Sequence, residues 1–226
     1  MKAKLTILLL GVCAISPPAM ANLFDFHYGS PASAYTYATG AFVVAADTTL
    51  PSSTTGSVSS MVAPEVANFI NTMWTLGGDV SNFVVSMTIT NITPTSADGA
   101  GTFTIMDFDG DTITGDLVGD WEPEGSSNSF AGTLSNVVWH NQSGDDTFQG
   151  HIGSVSMSLF PPDPWVGAIN LLSTPGATPV WFDDGLNYFT KSGSVDASVV
   201  VVPVPAAVIL GVLGLGVAGW RLRRFA

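Results

Sequence analysis

Three aspartates alternate at Asp107, Asp109 and Asp111, around an Asp109-Gly110 pair. Hard carboxylate oxygens grouped this closely suit Ca²⁺, which takes oxygen ligands at about 2.3–2.6 Å. An EF-hand loop would need Gly at its sixth position and Glu at its twelfth, where Thr112 and Val118 stand. The same residues also read as turn builders, since Asp and Gly supply tight-turn geometry. No cofactor is expected, and Ca²⁺ at these three acids is the alternative.

His27, His140 and His151 are the only histidines. The last two are expected on neighbouring strands, with surface positions as the plainer reading. No H-E-x-x-H pair, G-x-S-x-G elbow, phosphate loop or dinucleotide fingerprint is present. Glu122 and Glu124 flank Pro123 on an expected loop. A glycosidase pair is defined by separation in space, so their spacing in sequence decides nothing. No catalytic residue is assigned, and a non-enzymatic protein is expected. Trp121, Trp139, Trp165, Trp181, Tyr35, Tyr37 and Tyr188 are expected mostly in the core, with a sugar-stacking surface as the other use of such rings.

The elements that would position these residues read as β. Phe83, Val85, Met87 and Ile89 alternate with Ser86, Thr88 and Thr90, which is the period of a half-buried strand. Segments 102–108 and 111–118 flank Asp109-Gly110 and form a hairpin pattern. Further strands are expected at 129–139 and 147–159, with 141–146 as the loop between them. The pattern predicts an all-β fold, an antiparallel β-sandwich-like or barrel-like sheet. One short helix is added: Pro64 suits a first helical position, Glu65 the positive helix end, and Val66, Phe69, Ile70 and Met73 make a helical stripe before Gly77-Gly78. Residues 51–60, rich in Ser and Thr, read as a flexible loop, and 161–164 as a break before Trp165.

Composition limits the classes. The 226-residue chain has 6 Lys plus Arg against 18 Asp plus Glu, and 46% of it is hydrophobic. It is too apolar for a disordered chain and too acidic for a nucleic-acid binder. All 18 acids and one base, Lys191, lie between Asn22 and Val202. Net charge of one sign disperses an exported protein.

The first 21 residues read as a secretion signal. Lys2 and Lys4 precede an apolar run too short to span a bilayer, and Ala19-Met20-Ala21 is an A-x-A cleavage site. Cys13, the single cysteine, lies within it. A mature chain from Asn22 would have no disulfide. The division is thus a signal peptide at 1–21, an acidic extracytoplasmic β-domain at 22–202, and a tail at 203–226. Residues 199–220 carry no charge. A helix of that length would measure about 33 Å, enough for a bilayer core of about 30 Å. Pro205 suits the helix start, Trp220 an interface anchor, and Arg221, Arg223 and Arg224 a cytoplasmic stop.

Val202-Pro203-Val204-Pro205-Ala206, the apolar stretch and the terminal arginine cluster together resemble the PEP-CTERM class of sorting signals, most of all its VPLPA-type variant. The match covers about the last 25 residues, a tenth of the chain. It departs from the pattern at Val204, where Glu or Leu is commoner, and in the Phe225-Ala226 extension. The resemblance implies export in a Gram-negative bacterium and a single-pass intermediate in the inner membrane. It also implies recognition by an exosortase-type membrane transpeptidase, then delivery to the cell surface or an extracellular polysaccharide matrix. The expected function is structural or adhesive. The alternative is a membrane-anchored lectin-like module that binds carbohydrate or calcium.

Overall fold

In the computed structural model, residues 22–45, 54–69, 73–75, 79–174, 181–183, 185–190 and 193–201 are described. The signal cleavage residues Ala19 and Ala21 lie outside them. So do Val202, Pro203, Val204, Pro205 and Ala206, the apolar tail, and Arg221, Arg223 and Arg224. No helix among the described residues is long and apolar enough to cross a membrane.

Alternation of side chains decides the architecture. The main strands are β1 (Asn22–Gly29), β2 (Ala32–Thr36), β3 (Ala41–Ala45), β4 (Thr55–Ser60), β5 (Val66–Phe69), β8 (Phe83–Thr90), β9 (Ala97–Met106), β10 (Thr112–Glu124), β11 (Ser127–His140), β14 (Trp165–Ser173), β15 (Tyr188–Thr190) and β16 (Gly193–Val200). They form one antiparallel sheet in the order β15-β2-β3-β8-β9-β10-β11-β14-β16-β1-β4-β5. Two small ribbons pair separately from this sheet, β6 (Met73–Thr75) with β7 (Asp79–Ser81), and β12 (Thr147–Gln149) with β13 (Ser154–Ser156). The fold is all-β.

The sheet curls until its inner face meets itself. Strands β1 and β8 stand six places apart in the order, yet the Tyr28 and Phe83 rings stack at 4.2 Å. Phe26 likewise stacks on Phe103 of β9 at 5.4 Å. Each such pair adds about 0.5–1.5 kcal/mol beyond the burial of its area. Trp121 fills the space between β10 and β3, edge-on to Phe42 at 4.8 Å, and its indole N–H points at the Met87 sulfur 3.3 Å away. Room for it comes from Gly99, where a Cβ would lie 2.9 Å from Phe130 and 3.0 Å from the Trp121 nitrogen.

Four expectations are corrected. The helix over 64–73 does not form: Val66–Phe69 is β5, antiparallel to β4, with Ala67 and Phe69 inward and Val66 and Asn68 outward. A two-residue period splits Val66 and Phe69 of that stripe between the two faces, and the inward pair is Ala67 and Phe69, laid along the edge of β4. Within 51–60, the part expected to be a flexible loop, residues 55–60 are strand β4, paired with β1. Gly56 admits the Tyr28 ring, which a Cβ would meet at 2.2 Å. The strand expected over 147–159 is broken into β12, β13 and a 3-10 turn at Met157–Leu159. Glu122 and Glu124 belong to strand β10, not to a loop. The hairpin at Asp109-Gly110 and the strand through 129–139 form as expected, with Gly110 at φ 103°.

The two edges are guarded differently. Beyond β5, the 150–153 turn of the small ribbon bridges Asn68 to Ile152. Beyond β2, the edge is only the three residues of β15. Covered or short edges discourage pairing with another chain.

Candidate functional sites

The acidic turn joins β9 to β10. Asp107 is buried, Asp111 is fully buried, and Asp109 is exposed. One oxygen of each carboxylate lies within 4.8 Å of the others, close enough to share a cation. Most of their acceptor capacity is already engaged. Asp107 Oδ1 accepts the backbone N–H groups of Asp109 at 3.2 Å, Gly110 at 3.0 Å and Asp111 at 2.8 Å. Its Oδ2 accepts the Gln149 N–H at 2.7 Å. Asp111 Oδ1 accepts the N–H groups of Gln142 at 2.5 Å and Ser143 at 2.7 Å, and its Oδ2 accepts the Ser143 hydroxyl at 3.0 Å. The turn is thereby fastened to the 141–149 segment.

Burial pushes the Asp107 carboxyl up to about 7, helped by a proton shared with Asp109, while the N–H groups of Gln149 and Asp111 pull it back. Asp145, in the fastened loop, is held below the usual carboxylate range, first by the Thr147 N–H. The sequence brought these acids to notice as cation ligands. In the structure Asp107 and Asp111 serve as acceptors for two loops, and Asp109 is exposed.

The three histidines engage separate partners. His140 Nε2 lies 3.1 Å from the Thr114 hydroxyl. His151 sits beside the Phe108 ring, with centroids 6.1 Å apart. His27 Nδ1 lies 2.6 Å from Asp196 Oδ1, on the outer face of the sheet. Beside this pair, the Ser198 hydroxyl donates to Asp25 Oδ1 at 2.5 Å. A groove of about 300 Å³ runs along Asp25, His27, Asn170 and Asp196, and a second of about 240 Å³ lies on the other side of His27 beside Ser57 and Asn68. Sequence reasoning missed this site because Asp196 is 169 residues from His27. Its one local signal was Asp25 and His27 on alternate positions of β1, hence on one face.

Of the aromatic residues set aside as a sugar surface, Trp121, Trp165, Tyr35 and Tyr188 are buried, Trp139 and Trp181 are half-buried, and Tyr37 is exposed. Trp181 donates its indole N–H to the Thr93 carbonyl at 2.6 Å. Glu122 and Glu124 are both exposed near the β10–β11 turn. None of the described residues is Lys or Arg. No family model matches the chain, and no curated protein or solved structure matches it.

Proposed function

We propose that this chain is an exported cell-surface or extracellular-matrix protein with a structural or adhesive, non-enzymatic role. The observation that carries the reading is the order of the C-terminal features: Pro203 and Pro205, an apolar stretch, then Arg221, Arg223 and Arg224. Two prolines one residue apart keep the backbone extended and withhold ladder donors. A processing enzyme of the exosortase type would grip such a strand at low entropic cost. The arginines would hold the tail end on the cytoplasmic side and leave the acidic body outside.

The body suits that destination. The chain's only cysteine precedes Asn22, so a mature chain beginning there folds without a disulfide. Its large inward rings supply the core instead: Trp121, Phe24, Phe83 and Phe103 are each 1% exposed or less.

Intact mass of the protein from each cell fraction tests the reading. The expected species begins at Asn22, ends within 203–206, and is found at the surface or in the medium. A species that keeps Arg221, Arg223 and Arg224 and stays in the membrane fraction would overturn the sorting reading and leave an anchored domain.

A further inference from the structure

The outer face of the sheet carries a polar row at right angles to five consecutive strands. Asn170 of β14 stands beside Asp196 of β16, and Asp196 beside His27 of β1. His27 in turn stands beside Ser57 of β4, and Ser57 beside Asn68 of β5. One step along the strands, Ala168, Ser198, Asp25 and Ser59 form a second row. The short side chains of Ala168, Ser198 and Ser57 leave the two grooves open on either side of His27.

The chemistry of these groups narrows what they can hold. The Asp25 and Asp196 carboxylates each take one donor from inside the groove, Ser198 and His27 respectively, and keep acceptor capacity for a ligand. With Nδ1–H given to Asp196, His27 keeps Nε2 for a ligand, an acceptor in the neutral ring and a donor in the protonated one. Asn170 and Asn68 each offer both a donor and an acceptor, and so does the Ser57 hydroxyl. Neither Lys nor Arg is among the described residues, and the Asp25 and Asp196 carboxylates would repel a phosphate, sulfate or uronate. An ammonium ligand has donors only and would leave the amide N–H groups unused. A hydroxyl both donates and accepts, so a neutral polyol matches the mixed set. Neighbouring strands lie about 4.8 Å apart, close to the length of one pyranose ring, so a linear glycan lying across them meets one strand per ring.

We propose that the row Asn170, Asp196, His27, Ser57 and Asn68 binds a neutral polysaccharide laid across strands β14, β16, β1, β4 and β5. The site gives the adhesive reading its ligand class and rests on that reading for access to an external glycan.

The test is calorimetric titration of the full chain in a zwitterionic, sugar-free detergent. Neutral gluco- and manno-oligosaccharides of increasing length are the probes, with oligouronates and glucosamine oligomers as charged comparisons. Saturable binding of a neutral series is expected, strengthening up to about five rings and then levelling, as five strands at about 4.8 Å would dictate. His27→Ala and Asn170→Ala should each weaken it roughly tenfold, the loss of a hydrogen bond or two. Both side chains are exposed, so melting curves should show the variants folded. Phe108→Ala, at an exposed residue of the 107–111 turn, should bind as the parent does. Absence of saturable binding across the neutral series would overturn the proposal. So would unchanged affinity in both groove variants, or preference for the glucosamine oligomers. A protein found processed at the surface yet failing these titrations sinks the glycan site alone. One that binds glycan but keeps its tail sinks only the sorting reading.

Discussion

Replacing Asp107 by Asn should change how stability depends on pH. The Asp107 carboxyl is pushed up to about 7 from an ordinary 3.8. The folded chain therefore holds this proton more tightly than the unfolded chain does. Stability from this group is fully present below about pH 4 and is lost as pH rises toward 7, after which the contribution is flat. A shift from 3.8 to about 7 sets an upper bound of about 4 kcal/mol at 1.36 kcal/mol per unit. Asp109, which shares the proton, is exposed, and water screens the pair, so about 2 kcal/mol is the working figure. For a body of this size that corresponds to a fall in Tm of about 4–8 °C from pH 4 to pH 8.

The other acids also repel one another more as pH rises, so the parent's slope alone proves little. The difference between parent and variant isolates the group. An Asn oxygen still accepts the turn N–H groups, while its NH2 faces the Gln149 N–H, so the variant starts less stable. Its Tm should nevertheless fall less steeply with pH than the parent's. Asp109→Ala should flatten the slope in the same direction by removing the partner carboxylate. Thermal melts of the full chain in detergent across pH 4–8 decide it. Parallel slopes for parent and D107N, or a parent that gains stability with pH relative to D107N, would refute the reasoning. In the latter case the four backbone donors would dominate burial.

Further outcomes follow from single contacts. Asp111→Ala removes the acceptor of the Gln142 and Ser143 N–H groups and should cost about 2–4 kcal/mol in urea unfolding, with faster amide exchange across 141–149. Gly99→Val places carbons against Phe130, Trp121 and Met87 and should destabilise by about 1–3 kcal/mol or more, read from the same unfolding curves. Calcium should leave Tm and the calorimetric baseline unchanged, because Asp107 and Asp111 already accept seven hydrogen bonds between them; a saturable rise abolished by Asp109→Ala would show a real site. Pro203→Ala with Pro205→Ala should leave export intact and trap the protein in the membrane fraction, and processing at the parental rate would show that the prolines are not the recognition element.

What the sequence settles by itself is whatever one strand or one turn can express. Phe83 to Thr90 alternates because one face of β8 is buried, and that pattern is visible without knowing any neighbour. Asp109-Gly110 marks its hairpin because Gly takes the positive φ a tight turn needs. The acidic composition likewise argues against a nucleic-acid partner, and the two ends carry residue patterns that resemble export and sorting signals.

Tertiary structure decided the rest, for reasons of distance and competition. The stripe Val66, Phe69, Ile70 and Met73 has helical spacing, yet the β4 edge recruited Val66–Phe69 as a strand. Bulges let Leu134 and Val137 both turn inward, which strict alternation forbids. Asp111 reads locally as a turn residue, and only the fold brings Gln142 and Ser143 to it. The His27–Asp196 pair and the row around it exist because β1 was laid between β16 and β4. Strand order is set by how the whole inner face packs on itself, and a property of the whole face is not written in any one segment.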